Sequence, residues 1–129
     1  MLLTKDTQTT AEILRGAAEV MLTGGYVAGI RYGEDASMKV GSHCALGAIE
    51  VAAGMDRYRA NDQTPAVIAL AKGIAVALPA LAAAESAQRP QTLIAYWNNT
   101  HCRTAKDVAC VMRAVAQALE EEASDETHK

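Results

Sequence analysis

The stretch TAKDVACVMRAVAQAL, residues 104–119, decides how this chain folds. Val108, Val111, Met112, Val115, Ala116 and Leu119 recur three and four residues apart, the spacing that gathers side chains on one face of an α-helix. Thr104 and Asp107 stand where a capping box places them. The hydroxyl accepts from an unpaired first-turn amide, and the carboxylate answers from three residues on. A helix opening at Thr104 is therefore predicted. Downstream, EEEASDETHK (120–129) closes the chain, and Glu120 to Glu122 oppose the negative end of a helix dipole. An acidic, partly frayed tail is expected there.

Upstream, TLIAYW (92–97) has room for one short helix, and NNTHCR leads from it into Thr104. Trp97 reads as the anchor of this corner, with Asn98 and Asn99 capping exposed backbone groups as the chain turns. Other stretches repeat the same logic. Thr9 and Glu12 form a second capping-box pattern, opening a helix to about Thr23 on a stripe of Ile13, Leu14, Ala17, Ala18, Met21 and Leu22, with Gly24-Gly25 as the stop. Residues 1–8 are expected to be a flexible start. Ser42 is placed to cap HCALGAIEVAAG, which Gly54 ends. Gly47 lies inside that helix, where it is tolerated if another backbone comes close. Thr64-Pro65 opens a helix to about Leu78. Pro79 interrupts it, and a further turn or two follows. Residues 26–33 alternate weakly, but a lone strand has no partner. An all-α single domain over residues 1–129 follows, with four to five helices in irregular, orthogonal or bundle-like packing.

Half of the 129 residues are hydrophobic, 4% are aromatic, Phe is absent, and roughly a fifth are Ala. A net charge of −3 with no clustered basic surface argues against nucleic acid. The longest apolar run, residues 66–84, is broken by Lys72, Gly73 and Pro79, so it reads as buried helix and not as a membrane span. Three cysteines and no secretory leader point to reduced thiols in a cytoplasm.

Two His-Cys pairs, His43-Cys44 and His101-Cys102, offer zinc-type ligands, but neighbours on a helix diverge by about 100° and cannot readily share one ion. No metal and no cofactor are expected. Cys44 near a helix start, with His101 or His43 as base, would be a thiol nucleophile. No oxyanion donor or nucleophile turn accompanies it, and Cys44 shares a packing face with Ala48, Val51 and Ala52. The Gly-rich segment 23–33 lacks the Lys-Ser/Thr of a phosphate loop. The carboxylates Glu34, Asp35, Asp56 and Asp62 fall in polar connections. A ligand pocket beside Trp97, Asn98, Asn99 and Tyr26 is the remaining binding site.

CALGAIEVAAG (44–54) followed by IAYWNNTHCRTAKDVACVMRAV (94–115) resembles an uncharacterised domain-of-unknown-function family of actinobacteria and their phages. The matching elements are Gly25-Tyr26, Cys44 to Ala48, Trp97-Asn98 and Arg103-Thr104. The chain departs from that pattern at Asn99, where the family carries Asp, and at His101-Cys102, where it favours a Gly-containing turn. The resemblance implies a small intracellular helical domain and no reaction. The reading that results is a non-enzymatic module that binds another protein, phage-encoded and acting on a host protein. An Ala-rich helix over 65–78, apolar on more than one face, leaves room for a homo-oligomer. The alternative is a small-molecule-binding or thiol-dependent enzyme centred on Cys44 and the Trp97–Asn98 corner.

Overall fold

Each of the three prolines begins a helix in the computed structural model. Proline lacks the amide that a first helical residue leaves unpaired, and its φ is already helical. The structure describes residues 5–25, 44–56, 59–84 and 88–127. Over these the chain is entirely helical apart from turns and connections: α1 Lys5–Gly24, α2 Ala45–Ala53, α3 Pro65–Ala77, α4 Pro79–Ala82, α5 Pro90–Thr100 and α6 Ala105–Thr127. The helix count exceeds the expected four to five because Pro79 cuts off the single-turn α4 as an element of its own. The alternating segment 26–33, with Tyr26, and the Ser42-His43 pair lie outside the described residues.

α1 and α6 pack along each other more extensively than any other pair, and α2 and α3 also lie against α1. Arg15 bonds Glu120 at 2.7 Å and Glu19 bonds Arg113 at 2.7 Å. One series rises as the other falls, so α1 and α6 run antiparallel. Ala11, Leu14, Ala17, Ala18 and Met21 of α1 meet Val108, Ala109, Met112 and Ala116 of α6 in a common core. Small residues let the helices close on each other. A Cβ added at Gly16 would stand 3.2 Å from the Ala52 Cβ, and one at Gly73 would overlap the Val115 Cγ2. Every residue from Cys44 to Glu50 is buried, Gly47 included, so α2 is the central helix.

Gly54 ends α2 with φ +69°, and the Met55 amide reaches back to the Glu50 carbonyl at 2.9 Å, the left-handed stop that glycine adopts without strain. Several helix ends differ from expectation. α1 is already helical at Lys5, so Thr9 lies inside it, and Thr9 with Glu12 is not its cap. The amides that Thr9 would serve are bonded within the helix once residues 5–8 are helical. Thr64 does precede α3, but its hydroxyl accepts from the Asn61 amide at 2.9 Å and makes no bond to a helix amide. α5 starts at Pro90 and runs through Asn98 and Asn99, longer at both ends than the 92–97 pattern. α6 continues to Thr127, with Arg15 of α1 bonding Glu120 and Gln117 bonding Glu121 at 3.0 Å.

Candidate functional site

The corner between α5 and α6 is built from local signals joined by one long-range bond. Trp97 is 4% exposed and Asn98 1% exposed, on the inner face of α5. The Trp97 carbonyl accepts from the amides of His101 at 2.9 Å and Cys102 at 3.2 Å, closing the helix. The capping box forms at the start of α6: the Asp107 amide donates to Thr104 Oγ1 at 3.2 Å, and the Thr104 amide to Asp107 Oδ2 at 3.2 Å. The Arg103 amide adds a bond of 2.8 Å to the same oxygen. The Arg103 amide first, then Thr104, hold the Asp107 carboxyl below its usual range, against partial desolvation.

Asn98 does something local reasoning does not anticipate. Cys44 is the N-cap of α2 in extended backbone conformation, and no side chain at that position caps the helix. The Ala45 amide instead donates to Asn98 Oδ1 at 3.0 Å, from a residue 53 positions away, while Asn98 Nδ2 donates to Asn99 Oδ1 at 3.1 Å. Both ends of the Asn98 amide are thus engaged, the oxygen joining α5 to α2 and the nitrogen bonding its neighbour within α5. A ligand could recruit it only by uncapping α2.

The thiols divide by burial. Cys44 and Cys102 are buried, Cys110 is exposed, and none of the three is in a disulfide. Burial, then the charge of Asp107, pushes the Cys102 thiol up to about 12. His101 is exposed, with Nδ1 2.8 Å from Thr100 Oγ1. Among the described residues no group of three or more His, Cys, Asp or Glu side chains is placed to hold a metal ion. Alkylation of the folded chain at neutral pH is expected to modify Cys110 and spare Cys44 and Cys102. Raising the pH to about 10 still leaves Cys102 protonated and unmodified, because only the thiolate reacts. Mass-mapped alkylation checks this, and a reactive Cys44 would return it to candidacy as a nucleophile.

A buried acid is absent from the sequence-derived candidates. Glu50, fully buried on α2, accepts the Ala60 amide through Oε2 at 2.8 Å, tying the connection after α2 back to the core. Asp62, expected in an open polar connection, is half-buried and accepts the Gln91 amide at 2.9 Å at the start of α5.

The accessible candidate lies elsewhere, between α3 and α6. A groove of about 910 Å³ runs there, walled by Ile68 and Val76 of α3 and by Val111, Val115 and Leu119 of α6. Its origin is legible residue by residue. Val108, Met112 and Ala116 are buried against the core, whereas Val111, Val115 and Leu119 form a second, partly buried edge of the α6 stripe that no described helix fully covers. α3 likewise buries Ala66, Val67, Leu70, Ala71 and Ile74 and turns Ile68 and Val76 the other way. Gly73 lets the two helices close at the groove floor. Val76 stands 84% exposed, Cys110 lies in the wall, and Lys72 and Glu122 supply the charges. A smaller cleft of about 470 Å³, lined by Ile13, Ala53 and Met55, adjoins it through Thr10 and Pro65. Of the sequence-derived site candidates among the described residues, only Pro65 touches the groove. The signal for the rest was the all-round apolar character of residues 65–78.

No described helix is long and apolar enough to cross a membrane. No curated protein and no solved structure matches the chain. A family model does, described as a family of unknown function, and its match takes in α1 to α5 and most of α6. The chain belongs to this family, DUF6197, over residues 5–118.

Proposed function

We propose that this chain is a non-enzymatic, helical protein-binding module and that the α3–α6 groove is its docking face. The observation that carries the reading is the uncovered apolar edge itself, with Val76 84% exposed beside a groove of about 910 Å³. A large exposed aliphatic side chain at the lip of an apolar trough is how helix-in-groove recognition is built. Reduced thiols favour work in a cytoplasm, and the CALGA and Trp-Asn motifs favour an actinobacterial or phage setting with a host protein as target. Burial of Cys44, Trp97 and Asn98 weighs against a thiol-dependent or small-molecule reading of that corner.

Panning a displayed library of helical peptides on the immobilised chain tests the proposal. Recovered peptides are expected to carry apolar residues at i, i+3 or i+4, and i+7. Val76→Asp should weaken their binding by about tenfold or more, since it places an unpaired charge at an apolar contact. Bound peptide should also slow alkylation of Cys110. Peptides that bind Val76→Asp as well as the wild type would remove the groove as the docking face.

A further inference from the structure

We draw no further inference here: the strongest candidate, the apolar groove between α3 and α6 bordered by Val76 and Cys110, carries none, because nothing in the structure shows what covers it.

Discussion

Replacing Glu50 with Ala is expected to lower the unfolding free energy by about 3–5 kcal/mol, the largest effect of any single substitution considered for this chain. The side chain is fully buried on the central helix, and its Oε2 holds the Ala60 amide at 2.8 Å. Truncation leaves that amide buried without its acceptor, at about 1–3 kcal/mol, and opens a cavity in a core whose helices are held close by small residues. Loss of this magnitude lowers the melting temperature by roughly 10 °C or more for a domain of this size. Glu50→Gln keeps a carbonyl for Ala60 and is expected to lose about 1–2 kcal/mol. Urea unfolding of the two variants is the measurement. An Ala variant as stable as the Gln variant would mean that the tie to Ala60 contributes nothing.

Asn98→Ala is expected to cost about 2–3 kcal/mol, and to cost it at a distance. The substitution is made in the last turn of α5, yet the group that loses its partner is the Ala45 amide at the start of α2. Hydrogen exchange should therefore show the Ala45 amide losing protection and the first turn of α2 opening more often, while amides in the middle of α6 hold. Asn99→Ala, on an exposed side chain, should cost about 0.5–1 kcal/mol. Unchanged exchange at Ala45 in the Asn98 variant would sink the long-range cap.

These two residues show where sequence reasoning reaches and where it stops. Trp97 and Asn98 stand out in the sequence, and the fold does bring them to a corner, but the corner faces inward. Asn98 reads locally as a turn residue because asparagine serves backbone groups nearby. Its actual partner lies 53 positions away, and nothing in a local pattern encodes that distance. Glu50 went unmarked for the opposite reason. A carboxylate inside an apolar helix reads as an exposed side chain, and the return of the chain to residue 60 supplies an amide that helps it to be buried. The Thr9–Glu12 pattern and the Thr104–Asp107 pattern are nearly identical on paper. Only the second lies at a helix start, because residues 5–8 extend α1 past the first.

What the sequence determined by itself is the set of helices and several of their ends. Proline at the first position, Gly54 at the α2 stop, the capping box at Thr104 and the three-and-four spacing of α6 all act within a turn or two of chain. What only the tertiary structure decided is which faces those helices cover. The α6 stripe is wider than the surface α1 offers it, so Val108, Met112 and Ala116 enter the core while Val111, Val115 and Leu119 are left along a groove with α3. Periodicity records that a face is apolar. Whether that face is covered depends on the approach of another helix, which contacts distant in sequence set.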